Sequence, residues 1–182
     1  MKILNGQNKG GKLSSFKDKN IRPIKNIVKQ ALFNILQEKI FQSKILDLFS
    51  GTGGIGIEAL SRNANFVTFV DKSLLSIKMI EENLKKFNLN SKANVLKKDV
   101  LKAINFLIAK NEKFNIIFIT PPYYKDLEIK CLEIIDPLLL NNGIIIIQHY
   151  KKTILPSNTE KLVKTKEKKY GETILSFFEN KY

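Results

Sequence analysis

The segment from Asp47 to Gly56, with the sequence DLFSGTGGIG, places a glycine-rich turn directly after a short apolar run. Gly51, Gly53 and Gly56 let the backbone approach a ligand at places where a Cβ atom would collide. A turn of this kind connects a buried strand to the first turn of a helix and holds nucleoside or phosphate groups. The pattern therefore predicts an open α/β sheet with a nucleoside-containing ligand at its edge. A turn without a ligand and a dinucleotide-binding turn are the alternatives.

Three carboxylates lie in or after the predicted strands. Asp71 ends the next apolar run, and a carboxylate at this spacing from the turn accepts hydrogen bonds from two ribose hydroxyls; its alternative role is to cap the following helix. Asp99 is predicted either to contact an adenine amino group or to cap a helix. Asp47 lies inside the first strand, where dinucleotide-binding proteins usually have an apolar residue, and it suits the ammonium end of a ligand. The chain is also too short for a nucleotide half and a separate substrate half.

Strands and helices alternate between residues 44 and 148, which indicates a parallel sheet with helices on both faces. The predicted strands are 45–49, 66–70, 94–96, 114–119 and 143–148, and the predicted helices are 54–62, 73–88, 100–110 and 127–140. Leu75, Ile77, Ile80 and Leu84 are expected to face inward from the second of these helices. Two further strands, 160–165 and 173–178, follow without a helix between them and are expected to form an antiparallel pair at the sheet edge.

The first 44 residues differ from this body. Glycines between 6 and 11 predict a short hairpin, and Arg22-Pro23 is expected to start a helix with Ile27, Val28 and Leu32 on its apolar face and Lys29 off it. Ten Lys or Arg and two Asp or Glu give these residues a net charge of +8, out of +14 for the chain. A nearly neutral middle with basic ends favours a polyanionic partner such as a nucleic acid. A solvated lysine-rich surface is the alternative.

Cysteine and histidine content limits the chemistry. The chain has one cysteine, Cys131, so it forms no internal disulfide, which fits a reducing compartment. With His149 as the only histidine, we expect no metal site, and we expect this residue to pack or to hydrogen-bond. No apolar run approaches the ~20 residues that span a membrane. We therefore expect a cytoplasmic protein without a membrane partner.

The segment Thr120-Pro121-Pro122-Tyr123 closes the fourth predicted strand. Two prolines stiffen the backbone and remove two N–H donors, and a planar ring follows. Methyl transfer to an aromatic amine needs such a site, because hydrogen bonds from the amine to the Thr120 hydroxyl and the Pro121 carbonyl would localise the nitrogen lone pair. Tyr123 would stack on the base, which must leave its helix or come from a loop. The alternative is a rigid turn with a tyrosine in the core.

The residues together resemble the RsmD family of small-subunit ribosomal RNA guanine-N2 methyltransferases. The resemblance covers nearly the whole chain, and the turn with its following helix is the strongest match. The Pro-Pro-Tyr motif is shared with many amino-methyltransferases. The other matching segments are Ile3 to Gly6, Gly10 to Leu13, Arg22-Pro23 with Ala31 to Leu36, and Tyr170 to Thr173.

The resemblance implies the Rossmann-like fold of S-adenosylmethionine-dependent methyltransferases, an α/β fold with a mainly parallel seven-stranded sheet, an antiparallel edge and an N-terminal hairpin and helix extension. It implies one domain over 1–182, in which 1–40 form a basic RNA-contacting extension and 44–182 the catalytic core. S-Adenosyl-L-methionine would be the cofactor, and the partner would be 16S rRNA in the small ribosomal subunit or its assembly intermediate. The implied cofactor contacts are Asp47, Ser50, Gly51, Gly53, Asp71 and Asp99, and the residues implied to hold the guanine are Thr120, Pro121, Pro122 and Tyr123.

Three positions depart from the family's usual pattern. Thr120 stands where the family normally has Asp and related cytosine amino-methyltransferases have Ser; its hydroxyl can accept from an amine but cannot stabilise developing positive charge as a carboxylate would. Residues 24–27 lack the family's usual Thr, Asp and Arg. Gln148 stands in place of a usual Glu.

These observations predict a monomeric enzyme that methylates the 2-amino group of a guanine in 16S rRNA. One alternative is an amino-methyltransferase that acts on another RNA or DNA base. Another is an rRNA-binding assembly factor whose catalysis is weakened or lost through Thr120. A dehydrogenase is the most distant alternative.

Overall fold

The computed structural model describes residues 1–15, 26–122 and 126–181. Its strands are β1 (Lys44–Leu48), β2 (Phe66–Asp71), β3 (Ala93–Lys97), β4 (Phe114–Ile119), β5 (Leu139–Tyr150), β6 (Leu162–Tyr170) and β7 (Thr173–Asn180). They form one sheet in the order β3-β2-β1-β4-β5-β7-β6. The first five strands pair in parallel, and β7 lies antiparallel between β5 and β6. The predicted mainly parallel sheet with an antiparallel edge is therefore confirmed.

Five α-helices accompany the sheet within the described residues. They are α1 (Asn26–Leu36), α2 (Gly54–Ser61), α3 (Leu74–Lys86), α4 (Val100–Ala109) and α5 (Leu127–Leu132). Helices α1, α2 and α3 pack on one face of the sheet, with Phe69, Phe118 and Ile146 of the strands. Helices α4 and α5 cover the other face, with Ile117, Ile119 and Ile147. Alternation of side chains along each strand therefore supplies two separate apolar layers.

The N-terminal residues form the predicted hairpin. Lys2 pairs with Lys12 in an antiparallel bridge, and the Ile3 N–H donates to the Gly11 carbonyl at 2.9 Å. The hairpin packs on α2, where the Gln7 N–H donates to the Ser61 carbonyl at 2.8 Å. The N-terminal hairpin is thus attached to α2, the helix that follows the glycine turn.

Helix α1 differs from its predicted orientation. Lys29, which we expected off the apolar face, is fully buried, whereas Ile27 is 68% exposed. The cause is Glu58 of α2, whose Oε2 lies 3.0 Å from the Lys29 ammonium in an ion pair that is wholly enclosed. Side-chain periodicity reports apolar faces only, and it does not register a buried pair of opposite charges. Residues 16–25, which include the predicted helix start at Arg22-Pro23, lie outside the described part of the chain.

The predicted helix over 127–140 is wrong in its second half. Helix α5 ends at Leu132, Asp136–Leu138 form a 3₁₀ turn, and β5 already begins at Leu139. Pro137 explains the difference, because it lacks an N–H donor and its ring collides with the preceding helical turn. Leu75 of α3 was also predicted to face inward and is instead 50% exposed, while Ile77, Ile80 and Leu84 are buried as expected.

In the ranges 1–15, 26–122 and 126–181, every helix falls short of the length and apolar character that crossing a bilayer requires.

Candidate active site

The predicted site residues lie along one edge of the sheet, where the carboxyl ends of the parallel strands meet. Asp47 lies in β1, Asp71 ends β2, and Thr120 directly follows β4. Strand β1 lies between β2 and β4, so these three residues come from neighbouring strands. Asp99 follows β3, at the outer end of the parallel part of the sheet.

Asp47 is only 1% exposed, although it carries a carboxylate. Its Oδ2 accepts a hydrogen bond from the Gly56 N–H at 3.1 Å. Its Oδ1 is enclosed and has no hydrogen-bond partner among the residues that the structure describes. The strand register places Asp47 between Phe69 of β2 and Phe118 of β4, so its surroundings are largely apolar. Because an unpaired buried oxygen of this kind is unfavourable, the carboxylate is suited to a ligand that brings a donor.

Burial raises the pKa of Asp47 to about 7, the Gly56 N–H opposes this rise, and the nearby charge of Asp71 adds to it. Near neutral pH the carboxyl group is therefore divided between its neutral and its ionised form. A cationic donor at Oδ1 would favour the ionised form.

Asp71 connects the glycine turn to the end of β2. Its Oδ2 accepts from the Gly51 N–H and its Oδ1 accepts from the Ser73 N–H, both at 2.9 Å. The N-cap of α3 is Ser73, whose hydroxyl oxygen accepts from the Ser76 N–H at 3.3 Å, so the alternative in which Asp71 caps this helix is wrong. Each carboxylate oxygen retains a further lone pair, and the side chain is partly exposed. Asp71 can therefore accept hydrogen bonds from a pair of hydroxyls while it holds the turn.

Ser50 acts as a brace between the ends of two strands. Its hydroxyl donates to the Asp47 carbonyl and accepts from the Val70 N–H at 2.9 Å. Its own N–H donates to the Val70 carbonyl at 3.0 Å. The side chain thus positions the turn, and a direct cofactor contact by Ser50 stays a prediction.

Two glycines explain why the turn has its sequence. Gly53, the N-cap of α2, has a φ of +77°, and a Cβ atom there would lie 3.1 Å from Ile57 and 3.3 Å from Ile80. Gly56 lies so close to β2 that a Cβ atom would come within 2.3 Å of the Phe69 ring. The first glycine permits the left-handed turn, and the second lets α2 approach the sheet.

Asp99 is the N-cap of α4. Its Oδ1 accepts from the Leu101 N–H at 3.1 Å and from the Lys102 N–H at 3.4 Å. The capping alternative is therefore observed. A contact between the remaining oxygen, Oδ2, and a ligand stays a prediction.

Thr120 continues the line of β4 beyond its last residue. Its hydroxyl donates to the Leu48 carbonyl at 3.3 Å, and its N–H points to the same carbonyl at 3.4 Å. Because the hydroxyl proton is used in this bond, Oγ1 can take part in a further hydrogen bond only as an acceptor, for example from an incoming N–H. Pro121 is buried and Pro122 is exposed. Tyr123, predicted to stack on the base, lies outside the described residues.

The chain is similar to known proteins over nearly its whole length. A family model described as conserved hypothetical protein 95 matches residues 1–179. The protein named ribosomal RNA small subunit methyltransferase D of Haemophilus influenzae is 30% identical, over 99% of this chain and 94% of its own length. The chain belongs to the RsmD family.

Solved structures agree with membership of the RsmD family. The protein yhhF of Escherichia coli, described as a methyltransferase candidate, superposes with a TM-score of 0.85 at 26% identity, covering 99% of this chain and 97% of its own. The protein SMU.776, solved as a complex with SAH, has a TM-score of 0.68 at 17% identity, over 80% of this chain and 48% of its own. The latter similarity concerns the fold, which is the Rossmann-like methyltransferase fold.

A buried charge that the sequence prediction missed underlies the site of this RsmD-family protein. Glu58 accepts from the Leu4 N–H at 2.7 Å and from the Asn5 N–H at 3.0 Å, and it pairs with Lys29 and with Arg62. Through these bonds the N-terminal hairpin is fixed to α2. The signal was available, because Glu58 is the one charged residue in the apolar helix sequence GIGIEALS.

His149 hydrogen-bonds, as predicted, and its side-chain partners are not among the predicted site residues. Its Nε2 lies 2.9 Å from the Ser176 hydroxyl, which donates to Glu167 at 3.1 Å. Burial lowers the pKa of His149, so the ring is neutral at pH 7. Among the side chains of the described ranges, no group of three His, Cys, Asp or Glu residues is arranged to hold a metal ion.

Proposed function

We propose that the protein uses S-adenosylmethionine to methylate the 2-amino group of a guanine in small-subunit ribosomal RNA. The observation that carries the proposal is the enclosed, unpaired Oδ1 of Asp47 below the glycine turn, one strand away from the acceptor at Thr120. This arrangement provides a place for a cation and, beside it, a place for an amine.

The residues fit the cofactor. Asp47 would accept from the cofactor's ammonium group, Asp71 would accept from its ribose hydroxyls, and the turn over Gly51 and Gly53 leaves room for the ligand to approach the backbone. The fold of a protein solved with SAH supports this reading. When bound, S-adenosylmethionine supplies an electrophilic methyl group. Asp99 is the proposed contact for the adenine amino group.

The target amine would be held by neutral acceptors. The Thr120 hydroxyl donates to Leu48, so its oxygen can accept an amine N–H, and the Pro121 carbonyl is the proposed second acceptor. These hydrogen bonds would localise the amine lone pair, which in a free base is delocalised into the ring. Catalysis would then consist mainly of positioning. Stacking of Tyr123 on the base belongs to the same proposal.

The RNA would contact the basic extension over 1–40, next to the catalytic core over 44–182. Lys2, Lys9 and Lys12 of the hairpin are exposed, and the hairpin is fixed to α2, the helix that follows the glycine turn. The name of the Haemophilus relative supports a small-subunit RNA substrate. Contacts with phosphates would make the affinity fall steeply with salt. We propose that the protein acts as a monomer in the cytoplasm.

The test is incubation of the protein with labelled S-adenosylmethionine and unmethylated small ribosomal subunits, followed by digestion of the RNA to nucleosides. Label in N2-methylguanosine is the expected result. Label in another methylated nucleoside would show that the target base is different.

A second candidate function rests on Thr120, which cannot stabilise positive charge as a carboxylate would. In this case the protein would bind small subunits as an assembly factor and transfer no methyl group. Subunit binding and cofactor binding without any labelled nucleoside would favour this second function over the first.

A further inference from the structure

Gln148 of β5 carries a buried side-chain oxygen that has no role in the reaction proposed above. Its Oε1 is enclosed, and no residue in the described part of the chain forms a hydrogen bond with it. Buried polar atoms are nearly always paired, so an exception in a folded protein calls for an explanation. Within the described residues, the other two enclosed and unpaired side-chain oxygens are Asp47 Oδ1 and Glu128 Oε2.

The strand register places Gln148 beside Thr120. Ile119, the last residue of β4, pairs with Ile147 of β5. The next residues are Thr120, directly after β4, and Gln148, which still belongs to β5. Neighbouring parallel strands lie about 4.8 Å apart. The two side chains are therefore lateral neighbours at the edge of the sheet where the site lies.

Both side chains also belong to the same face. Phe118 and Ile146, two positions earlier on each strand, pack in the layer of α1, α2 and α3, whereas Ile119 and Ile147 pack in the opposite layer. Asp47 alternates with Leu46 and Leu48, which also pack in the opposite layer. Asp47, Thr120 and Gln148 thus lie on the same face of three adjacent strands, β1, β4 and β5, and form a row in which Asp47, level with Phe118, lies two positions earlier than the other two.

A structural reason for the glutamine is absent from its surroundings in the described residues. The Gln148 backbone pairs with Leu175 of β7, which any residue could do, and within residues 1–15, 26–122 and 126–181 the side-chain oxygen accepts no hydrogen bond. A leucine would fill a similar volume without enclosing an unpaired oxygen. The amide therefore lowers the stability of the ligand-free protein. A ligand that supplies the missing donor would remove this cost in the complex.

We propose that Gln148 Oε1 accepts a hydrogen bond from the ring N1–H of the target guanine while Thr120 accepts from its 2-amino group. The inference rests on the proposed function and makes Gln148 a specificity-determining residue. Guanine presents two adjacent donors on this edge, and the row presents two adjacent acceptors. In adenine and cytosine, the ring nitrogen next to the exocyclic amine carries a lone pair, so the Gln148 oxygen repels them.

A glutamine can also turn its NH₂ group toward a ligand, and the exchange to glutamate separates the two cases. An ionised glutamate side chain offers acceptors at both of its oxygens and no donor. Gln148→Glu should therefore keep methylation of guanine within about threefold, if the oxygen is the group in use. Gln148→Leu removes the acceptor and should lower kcat/KM about tenfold.

The experiment compares the wild-type protein, Gln148→Leu and Gln148→Glu on unmethylated small subunits with labelled S-adenosylmethionine. Each protein is measured for kcat/KM, for cofactor Kd and for melting temperature. Gln42→Glu, at an exposed glutamine before β1, is the matched control for the added charge. We expect Gln148→Leu to lose activity with an unchanged cofactor Kd and an equal or higher melting temperature. A merely structural glutamine would not give this combination.

A modified substrate tests the N1–H directly. Subunits reconstituted with 2-aminopurine at the methylated position keep the 2-amino group and lack the N1–H. The wild-type protein should lose about tenfold in kcat/KM on this substrate, and Gln148→Leu should lose little more than it already has.

Equal kcat/KM of Gln148→Leu and the wild type on guanine would overturn the inference. A joint loss of activity, melting temperature and cofactor affinity in Gln148→Leu would also overturn it, because it would assign a structural role. Absence of labelled N2-methylguanosine with the wild-type protein would overturn the proposed function itself, before any variant is compared.

Discussion

Replacement of Asp47 by asparagine should change how the stability of the protein depends on pH. The pKa of Asp47 is raised from 3.8 to about 7 by burial. At pH 5 the folded protein therefore holds a proton that the unfolded chain has released, and this proton favours folding. As the pH rises through 7 the folded protein must also release it, and the contribution is lost.

The size of the effect follows from the two pKa values. Between pH 5 and pH 8 the titration of Asp47 removes about 3 kcal/mol of stability. For a chain of this length, such a change corresponds to roughly 6 to 12 °C in melting temperature. Asparagine has nearly the same volume, can still accept from the Gly56 N–H, and does not titrate. The melting temperature of the wild type relative to Asp47→Asn should therefore fall by this amount between pH 5 and pH 8.

Thermal unfolding of both proteins at pH 5, 6, 7 and 8 and constant ionic strength measures this difference. His149, whose pKa is lowered by burial, is present in both proteins, so its contribution cancels in the comparison. A constant difference in melting temperature across the range would refute the reasoning about Asp47.

The same titration should govern cofactor binding, if the proposed function holds. Only ionised Asp47 attracts an ammonium group, so the affinity for S-adenosylmethionine should rise by up to about tenfold per pH unit between pH 5 and pH 7. Asp47→Asn should bind more weakly and with little dependence on pH. Calorimetric titrations at three pH values would show this, and a wild-type affinity that does not change below pH 7 would contradict the proposed role.

Three further outcomes are expected. Glu58→Gln should lower the free energy of unfolding by about 3 kcal/mol, because it leaves the enclosed Lys29 ammonium without its charged partner. Glu179→Gln removes one member of an exposed ion pair and should lower the free energy of unfolding by less than about 1 kcal/mol; urea unfolding measures both changes. Gly53→Ala should lower the free energy of unfolding by about 1–3 kcal/mol, because φ is +77° and side chains crowd the added carbon. An unchanged free energy of unfolding in the same assay would contradict this. Thr120→Val should lower kcat about tenfold without changing cofactor Kd, and Thr120→Ser should retain most activity; equal kinetics of the valine and serine variants would exclude the hydroxyl as an acceptor.

Much of the fold could be predicted because local signals and burial agree. The apolar runs in β1, β2 and β4 and the glycine turn each determine one strand or turn, and the structure confirms them. The predictions were wrong where a contact between distant residues sets the orientation of a helix or where a single residue sets its end. Lys29 is drawn inward by Glu58, which lies 29 positions away, and Pro137 shortens a helix whose apolar pattern continues beyond it.

The candidate site was predictable in position and less so in role. Because carboxyl ends of parallel strands meet at one edge, Asp47, Asp71 and Thr120 could be placed together from sequence. Their hydrogen bonds could be predicted only in part: that Asp71 holds the turn was not predicted and its alternative role as the cap of α3 is wrong, whereas Asp99 caps α4, which was one of its two predicted roles. Gln148 stood out from the sequence only as a departure from the family's usual glutamate. Its unpaired oxygen depends on how β4 and β5 align, which a single sequence does not specify.

The row of Asp47, Thr120 and Gln148 concentrates negative charge at one of its ends. Thr120 and Gln148 are neutral where the family's usual residues are acidic, so Asp47 is the one carboxylate of the row. Neutral acceptors can orient an amine but cannot take its proton, which must then leave to water after the methyl group has been transferred. Under the proposed function, kcat should therefore be nearly independent of pH, while the KM for the cofactor should follow the pKa of Asp47 near 7. A kcat that titrated near neutral pH would require a base outside this row.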